Sequence, residues 1–83
     1  MSHVLVERSF PTPQSDTDLS VVEDRLAPCS ELYGVVWIRS VVSVDRRYMI
    51  YEYEAPDAET VRKVQRDAGA VFDHIWSGEV IQS

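Results

Sequence analysis

The chain has 83 residues, enough for one small domain over residues 1–83 and too few for a second, since domains ordinarily run to about 100–150 residues. Hydrophobic residues at 45% and charged residues at 27% suit a globular fold and exclude a disordered or low-complexity chain. The net charge of −6 sets up a field that repels phosphate backbones and anionic membrane surfaces, so neither nucleic acid nor a membrane is an expected partner.

In chain order, the apolar run from Val4 to Arg8 predicts a first strand, which Pro11 and Pro13 keep from extending. Leu19, Val22, Leu26, Cys29 and Tyr33 then recur at spacings of three and four and predict an amphipathic helix. Ser15 and Asp18 supply a capping box at its start, and Gly34 suits the left-handed conformation that closes it. Pro28 lies inside that pattern and predicts a kink or an early break. Dense β-branched and aromatic residues from Val35 to Val44 predict a second strand. Asp45-Arg46-Arg47 forms a polar turn into a third strand from Tyr48 to Glu54, which Ala55-Pro56-Asp57 ends. Asp57 is a natural N-cap for a second helix with Val61, Val64 and Ala68 on its buried stripe and Gly69 at its end. His74 to Ile81 predicts the last strand.

The order βαββαβ folds most simply into an α+β, ferredoxin-like sandwich, a four-stranded antiparallel sheet with both helices on one face. The other face is left bare, to be covered by a second subunit or used for binding. A domain of this size buries only about 60–65% of its unfolded surface, so a homodimer is expected. The lone Cys29 permits no internal disulfide, the N-terminus meets charged residues too early for a signal peptide, and no apolar run approaches a membrane span. A cytoplasmic protein is the expectation.

Period-two alternation sends His3, Leu5 and Glu7 to one face of the first strand, and Tyr48, Ile50, Glu52 and Glu54 to one face of the third. Met49, Tyr51 and Tyr53 form the more apolar set that packs under the helices, which leaves Glu7 and Glu52 on the bare face. Trp37 and Arg39 from the second strand, with His74 and Trp76 from the fourth, are expected to join them. Carboxylates grouped with imidazoles suit a borderline divalent ion such as nickel or zinc, so His3, Glu7, Glu52 and His74 are the candidate metal ligands. The competing reading is carboxylates that are solvated or paired with Arg8, Arg39, Arg46 or Arg47. Trp37, Arg39, Tyr48, Ile50 and Trp76 are candidates for a pocket wall or a subunit interface. A carboxylate pair could do acid and base work, but nothing else identifies a catalytic set. Cys29 lies on the apolar helix stripe and reads as core rather than nucleophile. RNA-recognition modules share this element order, yet Tyr48-Met49-Ile50-Tyr51-Glu52-Tyr53-Glu54 lacks their basic, glycine-bearing octamer.

Three sets of residues together carry a family resemblance: Leu5-Val6-Glu7-Arg8-Ser9-Phe10, Val36-Trp37-Ile38-Arg39-Ser40-Val41-Val42-Ser43, and Tyr53-Glu54-Ala55-Pro56-Asp57-Ala58-Glu59 with Asp67-Ala68-Gly69. From Val4 to about Ile81 the chain resembles a domain-of-unknown-function family of small bacterial proteins that includes a nickel-responsive, nickel-binding actinobacterial member. The resemblance implies a dimeric ferredoxin-like protein in which nickel or another divalent metal is the expected cofactor. Cys29 matches the family's helix cysteine, whereas the chain has no cysteine near Tyr51 and no proline near Val71, so a metal site relying on that first cysteine is not expected. Two further readings stand beside metal binding. One is a dimeric α+β barrel of the monooxygenase or isomerase type that holds a small organic molecule, and the other a structural or regulatory interaction module.

Overall fold

A computed structural model describes residues 1–82. Its elements are β1 (Ser2–Ser9), α1 (Asp16–Leu32), β2 (Val36–Val42), β3 (Tyr48–Ala55), α2 (Ala58–Asp67) and β4 (His74–Gly78). The strands form one antiparallel sheet in the order β2-β3-β1-β4, the ferredoxin-like arrangement expected from the element order.

Both helices start where local chemistry starts them. Asp18 donates its backbone N–H to the Ser15 hydroxyl at 3.1 Å while the Ser15 N–H is received by the Asp18 carboxylate at 2.9 Å, so two orphan donors are satisfied reciprocally. Asp57 accepts the Thr60 N–H at 2.7 Å and does the same for α2. Gly34 and Gly69 take up φ values of +68° and +69° beyond the two helix ends, the left-handed conformation that favours glycine there.

Two expectations need correction. α1 does not break at Pro28 but runs on to Leu32. Pro28 and Asp24, whose carbonyl would have received the missing N–H, are both exposed, so water can serve that carbonyl. β4 ends at Gly78 rather than Ile81, because Gly78 already lies opposite His3 and β1 begins one residue further out, at Ser2. A strand cannot extend beyond the ladder that supports it.

The core lies between the sheet and the helices. Val4 and Val6 of β1, Met49, Tyr51 and Tyr53 of β3 and Ile75 of β4 meet Leu26 of α1 and Val61 and Val64 of α2. Leu19, Val22, Cys29 and Tyr33, the rest of the predicted α1 stripe, pack around its margin. One charged side chain enters this layer: Arg8 is 2% exposed, donates Nη2–H to the Gln65 Oε1 at 2.6 Å, and lays its guanidinium 4.7 Å from the centre of the Tyr51 ring. Burial pushes the phenols of Tyr51 and Tyr53 well above their ordinary pKa, so both stay neutral beside it.

Leu26 is the only fully buried large apolar side chain that α1 contributes among the described residues. Leu26→Ala is therefore expected to cost about 2–5 kcal/mol, a large share of the stability of a domain this small, read as a lower denaturation midpoint with the folded spectrum retained.

Candidate functional site

The helix-free face of the sheet is assembled by the register of its two central strands. His3 lies opposite Glu54, Leu5 opposite Glu52 and Glu7 opposite Ile50. On the other flank Glu7 faces His74 and Leu5 faces Trp76. Residues directly opposite in an antiparallel pair point to the same side, so His3, Glu7, Glu52, His74, Tyr48, Ile50 and Trp76 all belong to the bare face.

Within that face the four candidate ligands fall into two groups. In the first, the His3 ring lies between two carboxylates, with Nε2 2.9 Å from Glu52 and Nδ1 3.4 Å from Glu54. The second oxygen of Glu52 accepts from Arg39 Nε at 2.6 Å, and that hydrogen bond, with a smaller one from His3, holds the Glu52 carboxyl below its ordinary pKa. In the second group, the Glu7 carboxylate accepts the Tyr48 hydroxyl and, at 2.6 Å, the Trp76 indole N–H. These two donors lower the Glu7 pKa, and the hydrogen bond to the Glu7 carboxylate raises that of Tyr48 in return. His74 adds a weaker charge effect on Glu7 across the strand pair. No group of three or more His, Cys, Asp or Glu side chains forms a ready-made metal cage among the described residues.

Between the two groups Leu5, Val41, Ile50 and Trp76 line a shallow groove of about 360 Å³, bordered on one side by Glu79, Val80 and Ile81. Trp76 is 44% exposed and Val41 58% exposed, so the middle of the face is apolar and open. Gly78 permits the Trp76 position, because a Cβ there would lie 2.9 Å from the indole ring.

One expected member of this face, Trp37, lies elsewhere. Trp37 pairs with Tyr53 whereas Arg39 pairs with Glu52, with a bulge at Ile38 between them. One extra residue reverses the alternation, so Arg39 reaches the bare face and Trp37 turns to the helix side, where its indole N–H donates to Ser40 at 2.9 Å. Among the described residues, Arg39 is the only arginine that pairs with a candidate ligand. Arg8 is buried under the helices, Arg46 binds Asp16, and Arg47 donates to the Pro11 carbonyl. Glu54 is the participant that sequence reasoning placed on the face without assigning it a role. Its signal was the two-residue spacing from Glu52 opposite a histidine.

These features define a class: a small α+β sandwich whose bare sheet face carries imidazole and carboxylate groups around an apolar centre. Residues 5–77 match the family described as nickel responsive protein SCO4226-like, and the chain belongs to that family. It is similar in structure to SCO4226 from Streptomyces coelicolor A3(2), known from a crystal structure, with a TM-score of 0.81 at 20% sequence identity and 99% of each chain covered. That likeness shows a shared fold. No curated protein matches the chain, and no helix among the described residues is long and apolar enough to cross a membrane.

Two outcomes follow for this face. Glu52 has a folded pKa below its ordinary value of 4.5, so its stabilising contribution is complete above that pH and is lost as pH falls through the depressed value. Glu52→Gln is expected to flatten the acid limb of the melting temperature against pH, modestly, since the pair is open to solvent screening. Gly78→Ala is expected to displace the Trp76 ring and loosen its bond to Glu7, seen as a red-shifted tryptophan emission that Trp76→Phe abolishes.

Proposed function

We propose that this protein binds a divalent metal ion, with nickel the leading candidate, at the His3 end of the bare sheet face, and that it works as a cytoplasmic homodimer in metal response or storage. The observation that carries this reading is the His3 imidazole set between the carboxylates of Glu52 and Glu54, in a chain belonging to a nickel-responsive family. Nitrogen and oxygen donors match a borderline ion, and the absence of cysteine from this part of the sheet makes thiolate chemistry unnecessary to the reading. His3 and Glu52 would supply the first donors, Glu54 a further one, and Glu7 with His74 a second, weaker locus.

One chain supplies only part of a coordination shell, which leaves positions for water or for donors from a second copy. The apolar strip of Leu5, Val41, Ile50 and Trp76 supports dimerisation through the same face. Glu7 is the less favourable ligand, because both its oxygens already accept strong hydrogen bonds that a metal would have to displace.

The test is calorimetric titration of untagged protein with nickel and with zinc, with sedimentation recorded in parallel. Binding at micromolar or tighter affinity is expected, weakened about tenfold or more by His3→Ala and by Glu52→Gln, and less by Glu7→Gln. Failure of the unmodified chain to bind either ion, or binding unchanged in both His3→Ala and Glu52→Gln, overturns the assignment.

A further inference from the structure

An apolar recess on the helix side is separate from the bare face. It opens between α1 and the start of β2, has a volume of about 430 Å³, and is walled by Leu26, Val35, Trp37 and Tyr53 with Glu23 and Glu31 at its margin. A recess of this size falls within the roughly 300–1,000 Å³ that small-molecule sites occupy. Its charge is one-sided. No Lys, Arg or His borders it, and neither carboxylate takes part in an ion pair among the described residues. The buried Arg8 acts on Glu23 through its charge without forming an ion pair with it, its guanidinium being engaged by Gln65 and the Tyr51 ring.

We propose that this recess is a binding site for a small organic cation, an alkyl- or arylalkyl-ammonium whose apolar body fills the groove and whose charged head meets Glu23, with Glu31 about two helical turns further along α1 adding to the negative field. Three independent features select that chemistry. The apolar walls disfavour a hydrated metal ion, which would lose its water to carbon surface. The two unpaired carboxylates repel anions and reward a cation. Trp37, half-exposed at this wall, supplies aromatic surface on which an ammonium gains a further cation–π attraction. The half-buried Glu23 carboxyl has its pKa raised, chiefly by burial, and a bound cation relieves the cost of keeping it ionised. The bulge at Ile38 is what delivers Trp37 to this wall, so a departure from strand regularity coincides with the site.

The probe is phenethylammonium, with 3-phenylpropionate as its anionic counterpart of similar shape. Calorimetry on the unmodified chain measures binding, and tryptophan emission in a Trp76→Phe background reports on Trp37 alone. Saturable binding of the ammonium is expected, with no comparable binding of the carboxylate. Glu23→Gln should weaken it about tenfold, Glu31→Gln should weaken it less without touching the core, and Trp37→Leu should weaken it about threefold by calorimetry. The assignment is overturned by absence of saturable ammonium binding, by equal binding of the carboxylate, or by an affinity unchanged in both glutamine variants. Glu52→Gln, on the opposite side of the sheet, is expected to leave ammonium binding intact, so this result and the nickel result stand or fall separately.

Discussion

The register of the two central strands is the constraint on which the molecule depends. β1 and β3 pair without interruption from Ser2 opposite Ala55 to Ser9 opposite Tyr48. That single alignment sorts Val4, Val6, Arg8, Met49, Tyr51 and Tyr53 beneath the helices and His3, Leu5, Glu7, Ile50, Glu52 and Glu54 onto the bare face. A slip of one residue would exchange the two sets, placing carboxylates in the core and tyrosines in water. The core and the donor groups are thus two consequences of one ladder, and neither could be shifted independently of the other.

Arg8 shows how strictly the ladder is obeyed. Its position in the alternation requires it to face the core, and the protein accommodates the charge with the Gln65 side chain and a tyrosine ring. The fit is incomplete: Arg8 Nε, the Tyr51 hydroxyl and Gln65 Nε2 have no hydrogen-bond partner among the described residues. Such groups cost free energy when taken out of water, so part of the stability gained by burying Val4, Val6 and Leu26 is offset here. The fold is carried by its apolar layer, with a polar pocket inside it that holds β1 to α2.

Much of this was legible in the sequence. Both helix starts, the βαββαβ order and the division of β1 and β3 into two faces follow from spacing and capping chemistry that act within a few residues. The strand and helix ends were less legible, because β4 stops where its partner runs out and α1 continues past Pro28 where solvent replaces a lost bond. Both depend on what lies alongside. The face of Trp37 was illegible for a sharper reason. A bulge leaves no mark in Val36-Trp37-Ile38-Arg39, yet it reverses every alternation beyond it. Arg8 was misread as a surface partner for carboxylates because residue type was weighed above its place in the alternation.

The same bulge bears on how this protein avoids unwanted company. β2 is an edge strand, and its outer backbone groups are a template on which a strand from another chain could add. At Ile38 that template is broken in the middle, leaving a short stretch on either side and an exposed arginine beside the break. The opposite edge, β4, is only five residues long. Neither border invites growth of the sheet sideways, so open-ended strand addition between copies is disfavoured at both edges of the sheet.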